Sequence, residues 1–381
     1  METKKYKLTE ETIIVNDKSL YRIEALKDFG NVKKGDKGGF VENEDNLSQC
    51  DNCWIYDNAQ VRDNAEVCDD AEVYGNAKVY DKARVYGYAR VYGIAQVFDN
   101  AVVCDNAEVY GKAQVYDNAR VYWYAQVLDN AEVCGNAEVC GGAEICGNAE
   151  ICANAKVCSH ALVTDDAKVY CNAVVRDNAE VRGNADIYDD AEVYGDVKVY
   201  GNVKVRGNAK VFGKAKVYDN AIIYGHARVY DIAEVYLHAV VYGNAEVYNG
   251  AKVDGKARIY GNARVYDTAK VYGDAKVFGN AEVCGDAIIT SDKDYIVFKN
   301  WWSSGRYFTW TKGNDMWKVG CFYGTGEQLI EKAYKDSKLS GKEYKKVVDY
   351  VNSILKANEY DGIRKNIKER LLSKMRKLLG K

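Results

Sequence analysis

The 381-residue sequence contains no proline, and it has only three histidines and three methionines. The absence of proline excludes a proline-marked linker between domains, and three histidines leave few candidates for a catalytic base. No apolar stretch reaches the length of a membrane span. The charged segment 1–11 lacks the apolar centre of a signal peptide. We therefore expect a cytoplasmic protein without a transmembrane segment, whose twelve cysteines are reduced.

In place of these features the chain carries a six-residue repeat. Val or Ile occupies the same position of 40 consecutive hexads from Ile55 to Ile289, as in Val-Tyr-Gly-Asn-Ala-Lys at 73–78. The residue two positions before the aliphatic is Ala in 37 of the 39 hexads between 59 and 287. Residues two apart point to one side of a strand, so Ala and Val are predicted to face inward. The intervening Asp, Gly and Asn residues favour turns with positive φ.

So short a repeat cannot bury its apolar side alone, and successive hexads must stack into a solenoid. Val73, Asn76 and Ala77 match the aliphatic, turn and small-residue positions of hexapeptide-repeat proteins, and the chain resembles that family over 55–290. The resemblance implies a left-handed parallel β-helix of about 13 triangular coils, about 60 Å long at ~4.8 Å per coil. Gly38-Gly39-Phe40-Val41, with Trp54 following, resembles the start of uncharacterised bacterial and phage members that are labelled acyltransferases.

The predicted fold class is therefore an all-β solenoid with a small C-terminal α+β module. Residues 1–54 are predicted to form an N-terminal cap and opening coil, with a hairpin at Asn16-Asp17, and 55–290 the solenoid. Residues 291–358 are predicted to form an aromatic-rich α+β module, with three antiparallel strands and two helices. Capping boxes are predicted at Thr325 and Ser340, which precede Gln328 and Glu343. Residues 359–381 are predicted to form a basic amphipathic helix.

The position after each aliphatic, called the outward position below, is Tyr in 21 and Phe in three of 40 hexads. With three hexads per coil, residues 18 apart become neighbours. The candidate binding-face residues are Tyr56, Tyr74, Tyr92, Tyr110, Tyr224, Tyr242, Tyr260 and Phe278. These aromatic residues either stabilise the solenoid by stacking or bind a protein partner, a second copy of the chain, or a glycan.

Cysteines occupy several outward positions, and the 18-residue spacing places Cys134 beside Cys152 and Cys140 beside Cys158. Free thiols are expected there, with oxidation or binding of a soft metal as alternatives. The lone C-x-x-C at 50–53 places Cys53 in the inward small-residue position, which favours a structural role over half of a zinc site. We predict no metal and no cofactor.

Many hexapeptide-repeat proteins are acyltransferases that use a histidine base. Here His160, His226 and His238 all occupy the turn position that usually holds Asn, and no insertion builds an acceptor pocket. We therefore predict a non-enzymatic scaffold or interaction protein. The alternative is an acyltransferase that uses an acyl-thioester donor, with His226 or His238 as candidate base.

The C-terminal residues 291–381 carry 20 basic and 11 acidic side chains, net +9, which leaves 33 and 45, net −12, before them. This segment is the predicted recognition module, and its basic helix could contact an anionic partner. The recognition candidates are Trp301, Trp302, Trp310, Trp317, Arg364, Lys365, Lys368, Arg370, Lys374, Arg376 and Lys377.

Overall fold

The computed structural model describes residues 4–357, and it begins with a hairpin. Strands β1 (Tyr6–Val15) and β2 (Lys18–Ala25) are antiparallel. Asn16 and Asp17 join them with φ of 49° and 61°, the left-handed conformation that two-residue hairpins need, so the predicted hairpin is confirmed. β3 (Lys37–Val41) pairs with β2 and, in parallel, with the first solenoid coil. A short 3₁₀ helix spans Glu44–Asn46.

The solenoid consists of 40 short strands, β4 to β43, which recur every six residues from Trp54–Ile55 to Ile288–Ile289. Each contains the aliphatic residue and its predecessor, and only Lys198–Gly201 and Lys216–Asp219 extend to four residues. Every strand pairs in parallel with the strand 18 residues away, as Val73 does with Val91. Three sheets of 16, 14 and 13 strands result, the largest including β1 to β3. The chain is thus a β-solenoid of about 14 turns, and the hand of its winding stays a prediction.

The interior is filled by the repeated Ala and aliphatic residues. Nearly all are fully buried, including Val197 and Val203, which replace Ala in two hexads. Cys53 is also fully buried, in the inward position predicted for it. Its sulfur lies 3.2 Å from the buried Lys5 Nζ, which also donates to the carbonyls of Cys50 and Cys53. Cys53 therefore serves packing at the base of the solenoid.

The turns explain why Asp and Gly share one position. Both adopt positive φ there, for example 53° at Asp57 and 69° at Gly75. The Asp57 carboxylate also accepts a hydrogen bond of 2.9 Å from the N–H of Gly75, one coil further on. The next position forms a second series, in which the Asn100 amide donates to Asn118 Oδ1 at 3.2 Å. Asp and Asn therefore join successive coils at the corners.

Both ends of the solenoid are capped. At the first coil, the buried Asn46 amide donates to the carbonyls of Asp63 and Ala65 at 3.0 and 2.9 Å. At the last coil, the N–H of Glu282 donates to Thr309 Oγ1 at 2.8 Å. The N–H of Phe278 donates to the Tyr295 hydroxyl at 3.2 Å. These contacts occupy strand-edge groups that would otherwise lack partners.

The C-terminal module has four antiparallel strands rather than the three predicted: β44 (Tyr295–Lys299), β45 (Tyr307–Thr311), β46 (Met316–Val319) and β47 (Phe322–Gly324). The fourth strand was missed because its connection is only two residues long, with Gly320 at φ 55°.

Helix α1 (Gly326–Asp336) begins with the predicted capping box of Thr325 and Gln328. Helix α2 covers 338–357 as far as the structure describes it. The predicted cap at Ser340 is wrong, because Ser340 is already helical and its N–H donates to Ser337 Oγ at 3.0 Å. Neither helix of 4–357 is long and apolar enough to cross a membrane. The predicted basic helix, with its seven candidates from Arg364 to Lys377, lies outside the described residues.

Candidate functional site

The outward aromatic residues form stacked ladders along the faces of the solenoid. The ring centroids of Tyr74 and Tyr92 lie 4.7 Å apart with planes 3° from parallel, and Tyr92 stacks equally on Tyr110. Tyr56 meets Tyr74 edge-on at 6.5 Å. On the 16-stranded sheet, Tyr224, Tyr242, Tyr260 and Phe278 stack at 4.9 to 5.2 Å. All eight candidate binding-face residues therefore lie in two ladders.

A longer ladder on the 13-stranded sheet was not among the sequence candidates. Its five rings are Tyr194, Phe212, Tyr230, Tyr248 and Tyr266, with centroids 4.8 to 5.0 Å apart. The 18-residue spacing that identified the other two ladders also identifies this one. It ends at Tyr266, beside the C-terminal module, where Lys318 Nζ lies 5.8 Å from the ring centroid.

Stacking leaves few ring faces free. An inner ring such as Tyr92 has both faces covered by its neighbours, and its hydroxyl donates to Glu108 Oε2 at 3.0 Å. Burial, and to a lesser extent this hydrogen bond to Glu108, raises the pKa of Tyr92. A sugar or base stacks on an uncovered ring face, and an inner ring of a ladder offers no such face. The ladders are therefore built to join coils.

Arginine side chains cover the first ring of several ladders. The guanidinium of Arg176 lies 4.1 Å from the ring centroid of Tyr194, one coil further on. Arg206 covers Tyr224 in the same way at 4.9 Å. Such cation–π contacts are favourable and occupy the ring face that stacking leaves open at the start of a ladder.

The three histidines lie at three different corners of the solenoid, because the hexads that hold them follow strands of different sheets. The N–H groups of His226 and His238 donate at 2.8 Å to Gly243 and Gly255, as Asn does elsewhere. His226 borders a shallow depression of about 330 Å³, whose other lining residues are Asp190, Glu192, Asn208, Lys210 and Arg228. The three histidines are therefore not clustered in one site.

The four tryptophans of the C-terminal module occupy different environments. Trp310 and Trp317 are 2% and 1% exposed in the core between the sheet and the helices, so a partner cannot contact them while the module is folded. Trp302 is half-buried against Tyr344, with ring centroids 4.9 Å apart. Trp301 is 75% exposed.

A groove of about 660 Å³ lies where the 13-stranded sheet meets the C-terminal module, and we call it the junction groove. Its lining residues are Tyr248, Asn262, Arg264, Tyr266, Asn280, Glu282, Arg306, Tyr307, Lys318, Gly320 and Cys321. Arg264 lies 3.6 Å from Glu246 and 3.9 Å from Glu282. Within 4–357, neither Arg306 nor Lys318 has a carboxylate at ion-pair distance. Among the described residues, the groove therefore combines aromatic edges with two cations that lack a carboxylate partner.

One family model matches the chain. It is described as the YdcK beta solenoid repeat, and it matches residues 113–129 and 257–269, both within the 40 hexads. No curated protein matches. Together with the stacked parallel coils, this match identifies the chain as a β-solenoid repeat protein.

Proposed function

We propose that the protein is a non-enzymatic scaffold whose rigid β-solenoid carries a recognition module at its C-terminal end. In this proposal the junction groove binds an acidic segment of a partner protein. The observation that carries the proposal is the contrast between the ladders and the groove. The ladders use their ring faces within the solenoid, whereas Arg306 and Lys318 line the groove without a carboxylate partner among residues 4–357.

The solenoid suits a spacer because its contacts repeat in every coil. Backbone hydrogen bonds, stacked rings and corner Asn pairs recur at 18-residue intervals, as with Asn136 and Asn154 at 3.0 Å. Each coil is thus held to both neighbours, as in other repeat proteins. The twelve free thiols fit a reducing compartment such as the cytoplasm.

The binding proposal is tested with a fluorescein-labelled poly-glutamate peptide and the full chain, by fluorescence anisotropy. Reversing both groove charges, Arg306→Glu with Lys318→Glu, is expected to weaken binding at least tenfold, about 1.4 kcal/mol, because attraction becomes repulsion. The matched control is Lys82→Glu with Lys256→Glu, which reverses two exposed corner lysines. The basic segment 364–377 is unchanged in both variants, so the difference between them reports on the groove. An equal loss in the two variants would contradict the proposal.

Three other hypotheses are separated from this one by direct measurements. Self-association along a ladder predicts that Tyr92→Ser changes the sedimentation coefficient, whereas the scaffold proposal predicts no change. Glycan binding predicts stronger retention on polysaccharide than on poly-glutamate. Acyl transfer predicts turnover of acetyl-CoA that is lost in His226→Ala or His238→Ala, and such turnover would overturn the non-enzymatic proposal.

A further inference from the structure

Two cysteine pairs occupy outward positions on successive coils, at the same height of the solenoid. Cys134 and Cys152 lie between Tyr116 and Tyr170 on the 16-stranded sheet. Their strands are parallel and in register, since Val133 pairs with Ile151. The two side chains therefore point outward as direct neighbours on successive coils.

The second pair, Cys140 and Cys158, repeats this arrangement on the 13-stranded sheet. It lies between Tyr122 and Arg176, and Val139 pairs with Val157 in register. Cys140 is 2% exposed and Cys158 is half-buried. Among the described residues, other outward cysteines such as Cys104 and Cys146 have no cysteine as the next outward residue on their sheet.

In each pair the neighbouring thiol and a tyrosine hydroxyl lower the pKa of one cysteine. The neighbouring Cys152 thiol and, more weakly, the Tyr116 hydroxyl together lower the pKa of Cys134 to about 7, while burial opposes them. The thiol of Cys158 and the Tyr122 hydroxyl act in the same way on Cys140 and lower its pKa to about 6.

We propose that each pair is a two-coordinate site for a soft monovalent cation of the Cu(I) class. In-register neighbours on parallel strands are about 4.8 Å apart. A metal between two sulfurs, with bonds of about 2.3 Å like those of zinc thiolates, spans about 4.6 Å. Thiolates select soft ions of this kind. The strand spacing thus matches the sulfur separation that linear coordination requires.

Zinc and a disulfide both fit this geometry less well. Zinc takes four ligands, and within 4–357 no group of three or more His, Cys, Asp or Glu side chains is placed to hold a metal ion. A disulfide requires Cβ atoms about 3.8 Å apart, about 1 Å less than the strand spacing, so the coils would have to approach. Metal binding forms two metal–sulfur bonds and releases to solvent whatever protons the two sulfurs carry. It needs no oxidant.

The test uses Ag(I) as a redox-stable probe, added as silver nitrate to the full chain in chloride-free buffer with excess free cysteine. The free cysteine competes for isolated thiols such as the exposed Cys50 and Cys321. Native mass spectrometry is expected to show two Ag(I) ions per chain, and Zn(II) under the same conditions none.

The double variant Cys134→Ser with Cys140→Ser is expected to bind no Ag(I), and Cys134→Ser alone one ion. The matched control, Cys104→Ser with Cys146→Ser, keeps both ions. Circular dichroism verifies that each variant is folded, and the one-ion result for the single variant separates loss of a site from loss of structure. Equal stoichiometry in the two double variants would overturn the proposal. Tight Zn(II) binding, or disulfide formation without any Ag(I) binding, would overturn it as well.

Discussion

Removal of one ring from the middle of a ladder should loosen the solenoid locally. Tyr230 stacks on Phe212 and Tyr248, with both centroid distances 4.8 Å and planes 0° and 2° from parallel. Each aromatic pair contributes about 0.5 to 1.5 kcal/mol beyond its buried area. Tyr230→Ala should therefore lose about 1 to 3 kcal/mol from stacking alone, and more from burial.

The assay is amide hydrogen exchange, because each coil of a solenoid contacts only its neighbours and opening is local. Exchange should rise about 5- to 150-fold in the coils on either side of Tyr230. Tyr230→Phe keeps both stacks and should resemble the wild type. Tyr272→Ala is the matched control: Tyr272 occupies the same outward position, but its column neighbours are Asp254 and Thr290, so it has no ring to stack on. Equal exchange in Tyr230→Ala and Tyr272→Ala would refute the structural role of the ladders.

Three further predictions concern the core, the N-terminal cap and one ion pair. Ala179 is fully buried, so Ala179→Phe should overfill the coil and cost at least 1 to 3 kcal/mol; unchanged local hydrogen exchange would contradict this. Asn46→Ala leaves two carbonyls of the first coil without their buried donor, so the free energy of unfolding measured in urea should fall by about 1 to 3 kcal/mol. Asn64→Ala, at an exposed corner, should have little effect. Lys156 Nζ lies 3.1 Å from Glu138 and lowers the pKa of that carboxyl group. The ion pair therefore stabilises the folded state fully above the ordinary Glu pKa of about 4.3. This stabilisation is lost as the pH falls through the lowered pKa of the folded state. Lys156→Met should therefore lower the melting temperature of the protein at pH 7. The difference in melting temperature between the variant and the wild type should shrink toward pH 3.

The sequence was sufficient to predict the architecture of the solenoid, because one local rule repeats without interruption. A period of six fixes which side chains face inward. The family resemblance supplied three hexads per coil, and the resulting 18-residue spacing is confirmed by the pairing of Val73 with Val91. The Asn16-Asp17 turn and the capping box at Thr325 were also predictable, since both depend on residues a few positions apart.

What the sequence did not reveal depends on geometry between distant residues. Spacing alone shows that rings are neighbours, but it does not show that Tyr92 has both faces covered. The junction groove combines Arg264 of the solenoid with Arg306 and Lys318 of the module, and no local motif connects them. Burial separates Trp310 from the exposed Trp301 for the same reason, because the fold of the module decides it.

The most direct test of recognition at the C-terminal end compares the effect of a ladder substitution on binding with the effect of substitutions in the junction groove. The affinity for labelled poly-glutamate is compared among the wild type, Tyr92→Ala and Arg306→Glu with Lys318→Glu. The ladder change should leave the affinity unaltered, and the groove change should weaken it at least tenfold. Weaker binding in Tyr92→Ala, with wild-type binding in the groove variant, would contradict the assignment of recognition to the C-terminal end.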